Sequence, residues 1–180
     1  FVEGHGVAIF RCGRDGILDN SETKAREVIK RLRNGVYDFC DYLDDDLVSR
    51  IPVRLRIRMT VKDGAVHMDF TGTDPEVKAA YNIATFGRLH EWFTMRFTSF
   101  LSTHDSTIVI NAGMYRPITA TNPVGTLLNA EFPAPVVLRT NPARRFNDAV
   151  TLALIPISHP RRATQWITPR SRRQPKTRPQ

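Results

Sequence analysis

The stretch that decides the fold is "VRLRIRMTVKDGAVHMDF", which runs from Val53 to Phe70. In its first half, from Val53 to Val61, apolar residues alternate with arginine and threonine. This period of two predicts a half-buried strand with an apolar inner face and a cationic outer face. Asp63-Gly64 favours a tight turn, and the alternation resumes at Val66. We therefore predict an antiparallel hairpin whose apolar face packs on other elements.

Helical patterns flank this hairpin on both sides. The first predicted helix begins at Asn20-Ser21 and ends at Asn34-Gly35. Its apolar residues recur at helical spacing: Ala25, Val28, Ile29 and Leu32. The second helix is predicted over Gly87 to Leu101, where the apolar stripe is largely aromatic, and the third over Ala143 to Ile155.

Two short apolar runs outside these helices predict further strands. One covers Val7 to Phe10, before a turn at Asp15-Gly16, and the other covers Thr107 to Ile110. The 180 residues are 41% hydrophobic and 24% charged, as in globular proteins. Together the patterns predict an α+β fold, with an antiparallel hairpin-containing sheet flanked by about three helices.

The net charge of +8 is concentrated at the C-terminal end. Between Arg161 and Gln180 there are seven basic residues and no acidic residue, so the other 160 residues carry only +1. This Pro- and Arg-rich composition predicts a disordered or non-native tail over residues 161–180, after a domain over residues 1–160. A basic tail binds phosphate polymers, so a nucleic-acid-binding module is one alternative, although nucleic acid is not the partner we expect.

Several function classes lack their sequence signatures. No apolar run approaches the roughly 20 residues of a membrane helix. No glycine-rich phosphate loop and no His-Glu-x-x-His zinc motif is present. The two cysteines, Cys12 and Cys40, do not have metal-ligand spacing, and we expect reduced, partly buried thiols in a cytoplasmic protein. The acidic run from Asp41 to Asp46 lacks the glycine and glutamate of a calcium loop, which favours a solvated turn.

Five segments, taken in order, carry a resemblance to a known family. They are "GVYDFCDYLDDD", "MDFTGTDPEVKAAYN", "INAGMYRPI", "NPVGTLLNAEFPAPV" and "RRFNDAVTLALI", and they lie between about Asn34 and Pro160. In order and spacing they resemble the middle of the long subunit of the hydantoinase B / 5-oxoprolinase family. The resemblance implies ATP-dependent opening of a cyclic amide, as in N-methylhydantoinase, 5-oxoprolinase and caprolactamase. Carboxylases of acetone and acetophenone are also relatives, so a ketone carboxylase subunit remains an alternative.

The resemblance also implies where the cofactors bind. In this family a hydantoinase A-type subunit or domain binds ATP with magnesium and phosphorylates the substrate, and the B-type part completes the reaction. The histidine and aspartate ligands of a divalent metal lie upstream of the segments that this chain contains. We therefore expect no metal ligand and no cofactor in this chain, and an A-type subunit together with a small cyclic amide as its partners.

Some positions depart from the family pattern. Leu47 and Ala79-Ala80 stand where glycine is usual, and the resemblance ends after Pro160. Because family members run to several hundred residues, we expect a central fragment, partial over residues 1–160 and inactive alone. Truncation or a frameshift would account for its termini.

The catalytic residues are not predicted from this sequence, but candidates for substrate binding are. Asp69, Thr71, Gly72 and Thr73 either close the strand as a turn or, as the resemblance implies, help to hold a substrate amide. The same two interpretations apply to Asn82, Asn111, Arg116 and Asn129, which are turn-formers or hydrogen-bond donors to a polar ring. Arg116, which precedes Pro117, is expected to anchor a buried carboxylate or carbonyl groups.

Overall fold

The fold is built on one four-stranded sheet of strand order β1-β2-β3-β4. A computed structural model describes residues 2–46 and 48–158, so the predicted tail lies outside the described residues. The pairs β1–β2 and β2–β3 are antiparallel, whereas β3 and β4 are parallel. The strands are β1 (Gly35–Leu43), β2 (Val53–Lys62), β3 (Ala65–Asp69) and β4 (Ile118–Thr121).

The predicted hairpin is confirmed by β2 and β3. Lys62 pairs with Ala65 across the turn, and both turn residues have positive φ, 48° at Asp63 and 81° at Gly64. Such a pair of left-handed residues matches the right-handed twist of the flanking strands. Every second residue from Val53 to Val61 is buried, and the residues between them are exposed or half-buried. The alternation in the sequence thus fixes which face of the sheet meets the core.

Four helices accompany the sheet within the described residues: α1 (Val2–Lys30), α2 (Glu91–His104), α3 (Ala112–Tyr115) and α4 (Thr140–Ser158). The predicted helix from Asn20 forms only the last part of α1, whose backbone is non-helical at Gly6. The predicted strand at Val7 to Phe10 and the turn at Asp15-Gly16 are therefore wrong. A short apolar run cannot distinguish strand from helix by periodicity alone. The predicted strand at Thr107 to Ile110 is also wrong, because that segment is irregular.

The core lies between the apolar sheet face and the three longer helices. Its centre is a cluster of three aromatic rings: Phe70 after β3, Phe93 on α2 and Phe146 on α4. Their ring centroids lie 4.7 to 5.2 Å apart, within the range for favourable tilted and edge-to-face pairs. The predicted α+β class is confirmed.

The cysteines differ from the expectation in one respect. Both Cys12 and Cys40 are free thiols, but both are exposed rather than partly buried. Within the described residues, no helix is long and apolar enough to cross a membrane.

Candidate functional site

The strand alternation that buries one sheet face leaves the other face polar. Because paired residues point to the same side, side chains from all four strands meet on this outer face. They include Asp38 of β1, Arg56 and Arg58 of β2, His67 and Asp69 of β3, and Thr119 and Thr121 of β4.

Two arginines on this face share one carboxylate. Arg58 Nε lies 3.1 and 3.2 Å from the two carboxylate oxygens of Asp38, and Arg56 Nη2 lies 3.1 Å from one of them. The hydrogen bond to Asp38 raises the pKa of Arg58. These side chains are 36% to 47% exposed, so solvent screens the pairs and they contribute little to stability. Their main effect is to fix the direction of the guanidinium groups.

His67 is held by two hydroxyls from the parallel neighbour strand. Its Nδ1 lies 2.9 Å from Thr119 Oγ1, and its Nε2 lies 3.1 Å from Thr121 Oγ1. A hydroxyl can both donate and accept, so each ring nitrogen of His67 has a hydrogen-bond partner on β4. His67 is not among the site residues predicted from the sequence. Its outward position on β3 was visible, but its two partners lie on a strand more than 50 residues away.

The candidate loop from Asp69 to Thr73 begins at the edge of this face. Asp69 Oδ1 accepts the backbone N–H of Thr71 at 2.9 Å. Burial raises the pKa of Asp69, but hydrogen bonds from Thr71 and the charges of His67 and Arg58 outweigh it, so the net pKa is lowered. The carboxylate is therefore stabilised in its ionised form.

Gly72 sits beneath the Arg56 side chain. It has a φ of 93°, and a Cβ built there would lie 3.0 Å from Arg56 Cδ and 3.1 Å from Arg56 Nη1. The positive φ therefore favours glycine, and a Cβ would also press on the flexible Arg56 side chain. The Gly72 N–H donates to no group in the part of the chain that the structure describes, and the Thr71 side chain is exposed. The Gly72 N–H lies beside the guanidinium group just past the end of β3.

The rest of the loop is structural. Buried Thr73 accepts the Arg56 N–H through Oγ1 at 3.1 Å and donates to the Arg56 carbonyl at 3.2 Å. Asp74, the next residue, pairs with Arg54 in a similar way. Its Oδ2 accepts the Arg54 N–H at 2.8 Å, and its own N–H donates to the Arg54 carbonyl at 3.0 Å. The two side chains extend the strand pairing past β3, which anchors the loop against β2.

Asn82 and Asn129 lie elsewhere, in the buried loop network behind the sheet. Asn82 is 0% exposed and bonds main-chain groups of Val77, Ala79 and Pro135. Asn129 accepts from Gly87 N and donates to the Asn122 carbonyl, and it is 3% exposed. The Asn82 amide thus connects two loops through its hydrogen bonds to their main-chain groups.

Asn111 and Arg116 lie at a third place, against α1. Asn111 caps α3 by accepting the Gly113 N–H at 2.9 Å and donates to Ser21 Oγ at 2.9 Å. Arg116 Nη1 lies 2.7 Å from Asp19 Oδ1 and 3.1 Å from Glu22 Oε2. It does anchor carboxylates, as expected, but Asp19 is 67% exposed and therefore not buried. The candidates thus divide among three places, and only Asp69 to Thr73 belongs to the outer face.

The acidic run forms a turn that is only partly solvated. Asp46 is 7% exposed and accepts the backbone N–H groups of Val48 and Ser49, the latter of which lowers its pKa. Asp44 and Asp45 line a cleft of about 450 Å³ opposite Arg144 and Arg145 of α4. Over the described ranges, no three His, Cys, Asp or Glu side chains are placed to hold a metal ion.

Comparison with known proteins defines the family. The family model described as hydantoinase B/oxoprolinase matches residues 1–168, which extends beyond the 34–160 range predicted from motifs. This chain belongs to the hydantoinase B/oxoprolinase family.

Two curated relatives are similar over most of the chain. A protein of Pseudomonas sp. (strain NS671), named as the B-type subunit of a "Putative D-/L-hydantoinase", is 34% identical over 160 residues, which is 85% of this chain and 27% of that protein. An uncharacterized protein of Methanocaldococcus jannaschii is 30% identical over 142 residues, covering 76% of this chain and 23% of that protein. The chain thus spans about a quarter of the length of these relatives.

Two solved structures share the fold. The ATP-dependent caprolactamase of Pseudomonas jessenii superposes with a TM-score of 0.73 at 22% identity, over 89% of this chain and 27% of that chain. Acetone carboxylase in its nucleotide-free structure gives a TM-score of 0.61 at 16% identity, over 77% of this chain and 20% of that chain.

Proposed function

We propose that this chain is part of the B-type subunit of an ATP-dependent hydrolase that opens cyclic amides of the hydantoin or 5-oxoproline type. The observation that carries the proposal is the 34% identity over 160 residues to a protein named as a hydantoinase B-type subunit. The fold similarity to an ATP-dependent caprolactamase supports it, and the ketone carboxylase alternative rests on fold similarity at 16% identity.

In this proposal, the outer face of the sheet positions the substrate. A cyclic amide presents carbonyl oxygens that accept hydrogen bonds, and the Gly72 N–H and the Arg56 guanidinium are neighbouring donors just past the end of β3. Asp69 holds the loop through the Thr71 N–H and stays ionised because its pKa is lowered. Its role is to position these donors, and the catalytic groups are assigned to other parts of the enzyme.

The rest of the reaction is assigned to the partner and to other segments. A hydantoinase A-type subunit would bind ATP and magnesium and transfer the phosphoryl group, a reaction that depends mainly on positioning and charge neutralisation. A divalent metal would be held by B-type segments upstream of those described. The use of ATP would place the assembled enzyme in the cytoplasm, and the chain by itself would open no ring.

A segment exchange tests this function. Residues 1–168 replace the matching segment of the Pseudomonas sp. B-type subunit, and the product is purified with an A-type subunit. With ATP and Mg²⁺, we expect hydantoin opening that is coupled to phosphate release, and only background release from the isolated chain. Ring opening without ATP, or a higher kcat/KM for acetone carboxylation than for ring opening, would contradict the proposal.

A further inference from the structure

The helix α1 has two halves with different surroundings. In the second half, Ser21, Ala25, Val28 and Ile29 are at most 1% exposed and belong to or border the core. In the first half, from residue 4 to residue 20, Leu18 is half-buried and the other described side chains are exposed. The first half therefore projects from the domain with almost no packing of its own.

Intrinsic helix propensity does not account for this projecting half. Isolated helices shorter than about 12–15 residues are marginal in water even when rich in alanine. Gly13 and Gly16 lie in the helical part of this half, and each glycine in a helix interior costs about 1 kcal/mol relative to alanine. Beyond its continuation from the packed half, the described residues supply little that stabilises the helix here.

The exposed surface of this half has an apolar stripe. Ile9, Gly13 and Ile17 follow one another at four-residue spacing, and Phe10 lies beside them. Ile9 and Ile17 are each 57% exposed and Phe10 is 44% exposed. Together with Leu18 these residues line an apolar depression of about 570 Å³ that ends at Asn111. Gly13 lowers the middle of the stripe, so another backbone can approach closely.

The chain outside the matched region supplies a candidate for what covers this stripe. The family model includes residues 1–168, so α1 is part of the family domain. The matched regions make up only 27% of the hydantoinase relative and 27% of the caprolactamase, so about three quarters of each lies outside them. We propose that the first half of α1 docks through Ile9, Phe10, Gly13 and Ile17 onto an apolar surface of the remaining B-type subunit chain, and that it depends on this contact for its helical order. This inference rests on the proposed function.

Hydrogen exchange tests the proposal without an activity measurement. It is followed by mass spectrometry in the isolated chain and in the segment-exchanged subunit, for peptides covering residues 7–18 and, as the control within the same helix, residues 24–30. In the isolated chain, residues 7–18 exchange almost as fast as an unfolded peptide, whereas residues 24–30 are slowed by about 100-fold or more. In the complete subunit both peptides are protected.

A matched pair of variants locates the contact. Ile17→Glu removes the protection of residues 7–18 in the complete subunit, whereas Ala8→Glu, on the opposite side of α1, leaves it in place. Neither substitution changes the Tm of the isolated chain. A Tm loss for Ile17→Glu alone would show that the stripe is already packed and would overturn the proposal.

The other outcomes also decide the question. Protection of residues 7–18 in the isolated chain overturns the proposal, and if that protection grows with protein concentration, a second copy is the occupant. Absence of protection in the complete subunit overturns it as well. A segment-exchanged subunit that protects residues 7–18 but opens no ring would contradict the proposed function and leave the docking surface standing.

Discussion

The structure shows why glycine occupies position 113, in the family-like segment "INAGMYRPI". It lies in α3 directly against α1, and a Cβ built on it would overlap the backbone carbonyl oxygen of Leu18. The obstacle is main chain and cannot rotate away. Any side chain at this position must push the two helices apart.

Gly113→Ala is therefore expected to destabilise the domain, although alanine favours helices. Overpacking of this kind costs about 1–3 kcal/mol, which a urea denaturation curve of the segment-exchanged subunit measures, because the first half of α1 is ordered there. Gly16→Ala is the matched control, since it is also helical but has nothing within 4 Å of the built Cβ. The control should leave the free energy of unfolding unchanged or raise it by about 0.5–1 kcal/mol. Equal stability of the two variants would show that the contact between α1 and α3 is wrong.

Asp69 makes a prediction about acid stability. Its pKa is lowered in the folded chain, so the native state binds fewer protons than the unfolded state, whose Asp pKa is about 3.9. Its contribution to stability is thus present above the unfolded pKa and is lost as the pH falls through the folded one. In Asp69→Asn, the loss of Tm below about pH 5 should be shallower than in the parent chain. If the two proteins lost the same amount of Tm below pH 5, the hydrogen bond from Thr71 to Asp69 would be absent.

At the scale of elements, the turn between β2 and β3 is tied to α1. Gly64 has a φ of 81°, and a Cβ built there would lie 3.0 Å from Lys30 Cγ and 3.2 Å from the Arg26 carbonyl oxygen. Asn34, in the segment that follows α1, also binds this turn. Its side chain donates to Asp63 Oδ1 at 2.9 Å and accepts the Asp63 N–H at 3.1 Å. The hairpin thus positions the end of α1 as well as the core face of the sheet.

Gly64→Ala should lower the stability more than Gly125→Ala does. Both positions have positive φ, so both substitutions incur about 1–2 kcal/mol of left-handed strain. Only Gly64 also has close neighbours, whereas a Cβ at Gly125 would meet nothing within 4 Å. Comparison of the two Tm values therefore isolates the contact with α1. A larger loss for Gly125→Ala would contradict the packing of the turn described above.

The elements that could be predicted from the sequence are those in which local signals agree. At β2 and β3 the alternation and the turn dipeptide point to the same hairpin, and both are confirmed. At α1 they conflict, because Val7 to Phe10 is a short apolar run and the glycines after it imitate a turn. Each face of β1 carries both aromatic and polar residues. The sequence pattern therefore does not show which face is buried.

The candidate site was predictable only in part, for a related reason. The loop from Asp69 to Thr73 follows directly from the end of a recognisable strand. The hydroxyls that hold His67 come from β4, a parallel strand that is distant in sequence, and no local pattern announces that pairing. Asn82, by contrast, is placed by loop contacts that include Pro135, 53 residues away. Side-chain roles that depend on such distant contacts require the structure.

At the scale of the whole molecule, we propose that this quarter-length segment positions a cyclic amide in a larger enzyme. The direct measurement is kcat/KM for hydantoin opening by the segment-exchanged subunit with its A-type partner. Asp69→Ala should lower it by more than about tenfold, because misplaced binding groups raise the barrier steeply. Lys62 lies on the same face of the sheet, at the turn end of β2, and Lys62→Ala should leave kcat/KM within about twofold. An unchanged kcat/KM in Asp69→Ala would contradict the account and leave the loop as a turn that ends a strand.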